Sequence, residues 1–171
     1  MFWHPGVYSK QTMQEMVSKT EEAARALGIQ LQFLGARNPS DFDAAFSALS
    51  REHAEALLVF PSPMLYLEYR RIVDLVTQNR VPAMYPWREA VDAGGLMSYG
   101  ASIHDLMRHA AVDLMRHAAV QVGKILKGAN PAELPIEQPT KFELVINLKA
   151  ANVLGLSISR DLILTSDDVI E

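Results

Sequence analysis

Residues 56–85 read ALLVFPSPMLYLEYRRIVDLVTQNRVPAMY. The segment opens on a short continuous apolar run, Ala56 to Phe60, the pattern of a strand covered on both faces. Pro61-Ser62-Pro63 turns the chain into a helix, in which Leu65, Tyr69, Ile72, Val73 and Val76 recur on one side. Val81 to Tyr85 is the next strand, closed by Pro86-Trp87. Strand, helix and strand in this order make a βαβ unit, whose strands run parallel through a right-handed crossover.

The same rhythm extends outward. Upstream, Phe2-Trp3 end in the turn signal His4-Pro5-Gly6, and Ser9 or Thr12 opens a helix; Thr12 with Glu15 would make a capping box. Met13, Met16, Val17, Ala24 and Leu27 give that helix its apolar side, and Gly28 stops it. Ile29, Leu31 and Phe33 alternate as a strand. Asn38-Pro39-Ser40-Asp41 then caps a helix carrying Phe42, Ala45, Phe46 and Leu49. Downstream, residues 88–93 allow one helical turn, and Leu96 to Tyr99 form a strand ended by Gly100. The fold class is α/β with a parallel sheet, and ligands of such sheets collect at the carboxyl ends of the strands.

A longer helix pattern follows, its stripe running through Ile103, Met107, Ala110, Leu114, Ala118, Val122 and Ile125. It contains DLMRHAAV at 105–112 and again at 113–120, a tandem duplication that lengthens one helix by about two turns. Residues 129–140 hold three prolines and are expected to be extended. Phe142 to Ile146 read as a strand, Asn147 caps a short helix that Gly155 ends, and the tail is short and mixed.

Composition narrows the function. The 171 residues carry a net charge of −4 with Lys and Arg scattered, so no basic face for nucleic acid is visible. Cysteine is absent, which removes disulfides and thiolate chemistry. No apolar run reaches the roughly 18–20 residues of a membrane span, and the N-terminal residues lack the pattern of an export signal. Neither glycine-rich nucleotide loop, G-x-G-x-x-G or G-x-x-x-x-G-K-[ST], occurs, and no cofactor is implied.

Ser98 lies in LMSYG, which lacks the first glycine of a nucleophile elbow and has no His or Asp placed to complete a triad. His104, His109 and His117 share the long helix, but 109 and 117 are eight apart rather than at the i, i+4 spacing of a zinc helix. Paired with Asp105 and Asp113, they read as a solvated polar face. No catalytic or metal residue is therefore assigned. The ligand-binding candidates follow the strand ends: Tyr8 near the first turn, Pro61, Ser62, Tyr85, Trp87, Ser98 and Tyr99. Tyr85 and Trp87 could stack on a ligand or simply cover the core edge.

At GGLMSYG (94–100) and LPIEQPTKFELVINLKAANVLGL (134–156) the chain resembles the substrate-binding proteins of a bacterial ABC transporter family, whose characterised relatives bind an aromatic amino acid. ARALGIQLQFL, NPSDFDAAFSAL, EALLVFPSP and the ending DDVIE agree. The resemblance implies a type I periplasmic binding protein: two lobes, each a three-layer α/β/α sandwich, with a small molecule between them and an ABC permease as partner. It assigns 1–95 and 140–171 to the second lobe, and 96–139 to a crossover helix and extended connection belonging to the first.

A first lobe and an export or lipid-anchor sequence are expected ahead of Met1 and are not in this sequence. The expectation is thus a truncated solute-binding component, periplasmic by resemblance and cytoplasmic if the chain is complete. The crossover helix would leave its apolar face uncovered, which predicts a homodimer formed by exchange between copies. Two other readings stand beside this one: a cytoplasmic ligand-sensing domain of the same fold, and a small α/β hydrolase-type enzyme.

Overall fold

The ring of Phe2 meets Phe42 at 5.3 Å and Phe46 at 5.5 Å, both edge-on. This contact joins the first strand to the helix that starts at Phe42, within the main core. The computed structural model describes residues 1–102, 115–134 and 142–171. Its strands are β1 (Phe2–Trp3), β2 (Leu34–Gly35), β3 (Leu57–Leu58), β4 (Ala83–Tyr85), β5 (Met97–Ala101), β6 (Phe142–Asn147) and β7 (Asp168–Ile170). β1 pairs with β2, and β3 to β7 form a five-stranded sheet in chain order. A parallel bridge between Phe2 and Val59 joins the two pieces. All pairs are parallel except β5–β6, which is antiparallel; the expected parallel sheet carries this one reversal.

The described helices are α1 (Lys10–Ala26), α2 (Phe42–Arg51), α3 (Pro63–Leu67), α4 (Tyr69–Asn79), α5 (Arg88–Asp92), α6 (Met115–Leu126), α7 (Leu148–Val153) and α8 (Arg160–Thr165). α2 packs on α4 and α4 on α5, α5 lies against β5 and β6, and α7 lies against β7. The chain is an α/β sandwich. Phe2, Phe42, Leu49, Leu57, Val59, Leu65, Ile72, Ala83 and Tyr85 form the main core cluster and are almost wholly buried. Truncating one of its phenylalanines to alanine is expected to cost about 3–5 kcal/mol.

The structure departs from the sequence reading at several points. β2 sits at Leu34–Gly35, past the alternating residues 29–33, because its register is set by β1. Leu34 N–H donates to the Met1 carbonyl at 2.8 Å and Ala36 N–H to that of Trp3 at 2.9 Å. β3 is not covered on both faces: Leu57 is buried but Leu58 is 38 % exposed. Ser9, not Thr12, caps α1, accepting from Thr12 N–H at 3.2 Å. Leu27 faces solvent rather than the core, since α1 buries only Ala24 fully.

The helix expected after Pro63 is two helices, broken at Glu68. Pro131–Glu133 form a 3₁₀ turn rather than extended chain, and the tail supplies α8 and β7. The expected helix start at Ile103, the first DLMRHAAV copy and residues 135–140 lie outside the described residues.

Asn147 ties α5 and α7 to the end of β6. Its Oδ1 accepts from Ala150 N–H at 3.0 Å, capping α7, while its Nδ2 donates to the Val91 carbonyl at 3.3 Å. Among the described residues no helix is long and apolar enough to cross a membrane.

Candidate functional site

The carboxyl ends of β3, β4 and β5 converge with the start of β6, because that strand runs back antiparallel from the same edge. Together they line a concavity of about 390 Å³. Its wall is built from residues 58–61, 85–87 and 99–101 and from Phe142. That size lies within the range of small-molecule sites. The lining is apolar and strongly aromatic: Phe60, Tyr85, Trp87, Tyr99 and Phe142 contribute five rings.

The aromatics differ in how they are held. Trp87 is buried and meets Tyr66 edge-on at 5.3 Å. Tyr99 and Phe142 stack on each other at 5.8 Å with rings 23° apart, yet they are 55 % and 51 % exposed. This pair forms the solvent-facing lip. Tyr85 is 1 % exposed, and its hydroxyl has no hydrogen-bond partner among the described residues. Burial pushes its phenol well above the usual tyrosine range.

Of the residues read from sequence, Pro61, Tyr85, Trp87 and Tyr99 line this one concavity. Tyr8 stands outside the wall and donates its hydroxyl to the Pro61 carbonyl at 3.3 Å, tying the first turn to the end of β3. Ser62 is buried, and its hydroxyl oxygen accepts from Leu65 N–H at 3.1 Å as the cap of α3. Ser98 is buried on β5 and shares the sheet face of its register partner Tyr85, between the lining residues rather than among them. Leu58, Phe60, Gly100, Ala101 and Phe142 were not singled out by the sequence reading. For Phe142 the missing signal was strand direction, since only an antiparallel β6 starts at this edge.

Gly100 makes the approach of β5 to Pro86 possible, and Arg88, which follows Trp87, ties α5 to β7. Its guanidinium meets the Asp168 carboxylate on β7 at 2.6 Å and Asp92 at 3.5 Å. The hydrogen bond from Arg88 holds the Asp168 carboxyl below the ordinary range, helped by the Val169 amide. The same bond raises the Arg88 guanidinium further.

A second hollow, about 580 Å³, lies between β2 and α2 and carries Asp41 and Glu52. The Asp41 carboxylate is already engaged there by the Arg37 and Asn38 amides at 2.8 and 3.3 Å. Among the described residues no group of His, Asp or Glu could hold a metal ion.

A family model described as ABC transporter substrate binding protein matches residues 3–170. Among solved structures, a conserved domain protein from Vibrio cholerae aligns with a TM-score of 0.77 at 20 % identity, covering 98 % of this chain and 53 % of that one. An ABC domain from Streptococcus pneumoniae, in complex with L-Trp, aligns at 0.76 and 21 % identity, covering 99 % and 56 %. A ligand-free, open substrate binding protein with adhesive properties from Clostridium difficile aligns at 0.61 and 16 % identity, covering 99 % and 52 %. The chain therefore spans about half the length of the structures it matches. No curated protein matches it.

Proposed function

Because the chain belongs to the ABC transporter substrate binding protein family, we propose that its aromatic concavity is one wall of a solute-binding cleft. The solute is a small molecule with a flat apolar body, an aromatic amino acid being the form that fits best. The observation that carries this is the convergence of five aromatic rings on one strand-end hollow. Rings of this kind contribute large apolar area and stack on flat ligands. The complex with L-Trp of a structural neighbour supports the ligand class.

The remaining assignments follow the same reading. Residues 1–95 and 140–171 belong to the second lobe, together with β5, which lies in its sheet between β4 and β6, and the rest of 96–139 is assigned to the crossover toward the first. The protein delivers its solute to an ABC permease without catalysis, in the periplasm. Val120, Val122, Ile125 and Leu126 of α6 are exposed apolar residues that a second copy would cover, giving a homodimer by exchange. Light scattering that reports a monomer at tens of micromolar would overturn the dimer.

The test of ligand class is a thermal-shift series with the standard amino acids at millimolar concentration. A ligand that binds only the folded protein must raise the melting temperature. L-tryptophan, L-tyrosine or L-phenylalanine should raise it while L-aspartate and L-lysine do not, and Trp87→Ala should abolish the response. A flat response to all of them would defeat the reading.

A further inference from the structure

We infer that Tyr66 is a positioning residue for the candidate site: anchored to Glu89 through its hydroxyl, it braces the indole of Trp87 against the concavity. The inference rests on the proposed function, since it gives the brace its purpose.

The geometry closes a loop. Tyr66 leaves α3 one residue after Leu65, whose amide is fixed by the Ser62 cap. Its ring presents an edge contact to Trp87, with centroids 5.3 Å apart and planes at 70°. Its hydroxyl donates to the Glu89 carboxylate at 3.3 Å. Glu89 lies two residues beyond Trp87, at the start of α5, so the bond returns to the segment that carries the indole. Behind Tyr66 stands Tyr69, 6.2 Å away with planes 33° apart, and the Arg70 guanidinium lies 5.5 Å from the Tyr69 ring centre. Burial and the Glu89 carboxylate raise the Tyr66 phenol above the usual tyrosine range.

Trp87 is buried in the rotamer that this bond supports, and loss of the bond releases the indole to other rotamers that admit quencher. A wall ring free to change rotamer must be ordered again each time a ligand binds, which weakens affinity. A ring already held avoids that cost. Among the described residues the lip pair Tyr99–Phe142 shows no such anchor and is half exposed, so Trp87 is the fixed side of the hollow.

The experiment uses Trp3→Phe as background, leaving Trp87 as the sole tryptophan of the two in the chain. Tyr66→Phe keeps the ring and removes the hydroxyl. Glu89→Leu removes the acceptor, and Glu89→Gln restores one. Without ligand, Tyr66→Phe and Glu89→Leu should raise acrylamide quenching of Trp87 equally, and Glu89→Gln should lie near the background. Calorimetry should show L-tryptophan binding roughly threefold to tenfold more weakly in the first two variants, with no further loss when they are combined.

Unchanged quenching in Tyr66→Phe, or additive losses in the double variant, would overturn the brace. If the unaltered chain fails to bind L-tryptophan while quenching rises as described, the brace is supported and the proposed ligand is overturned.

Discussion

Gly100 packs directly on the backbone of Pro86: a methyl group built on its α-carbon would sit 2.1 Å from the Pro86 carbonyl oxygen. The two residues follow the pairing of β4 with β5 and hold adjacent walls of the aromatic hollow together. Gly100→Ala has to push β5 away from Pro86, and the obstacle is backbone, which cannot rotate aside. The expected loss is about 1–3 kcal/mol, read as a lower urea midpoint with unchanged slope.

Tyr85 offers the opposite case. Among the described residues its buried hydroxyl has no partner, and leaving such a group in the core costs about 1–3 kcal/mol. Tyr85→Phe should therefore leave stability unchanged or raise it by up to about 2 kcal/mol. A clear fall in melting temperature would show that the hydroxyl is satisfied in solution.

Asn147 performs two tasks that substitutions separate. Asn147→Ala loses both the α7 cap and the bond to the Val91 carbonyl, with an expected cost of about 2–3 kcal/mol. Asn147→Asp keeps the cap oxygen but cannot donate to Val91. Chemical denaturation should place it between the other two proteins at neutral pH.

The Arg88–Asp168 pair fixes a pH dependence of known sign. The folded-state pKa of Asp168 lies below its ordinary value of 3.8, so the unfolded chain takes up this proton first as pH falls. The stabilisation is present above that value and is lost as pH drops through the lower, folded one. Both side chains are more than a third exposed, so the contribution is screened to under about 1 kcal/mol. Asp168→Asn should flatten the acid limb of stability below about pH 4, measured as midpoint against pH.

Apolar patterning alone determined the alternation of strands and helices, because each buried face imposes its own period on the chain. Phe42, Ala45, Phe46 and Leu49 declared their shared side at helical spacing, and all four are buried. The strand ends near Pro61, Tyr85 and Trp87 were legible because turn residues mark where strands stop, whereas β5 runs on past Tyr99 through Gly100 to Ala101, where the sequence reading had ended it at Gly100. Tertiary structure decided the rest through contacts between segments distant in sequence. Pairing with β1 moved β2 to Leu34–Gly35, and the reversal of β6 brought Phe142 to the hollow. The Ser62 hydroxyl was taken by the α3 cap, and Tyr66 was set behind Trp87. Each of these depends on which hydrogen-bond donors and ring faces meet across the fold, and no local periodicity encodes that.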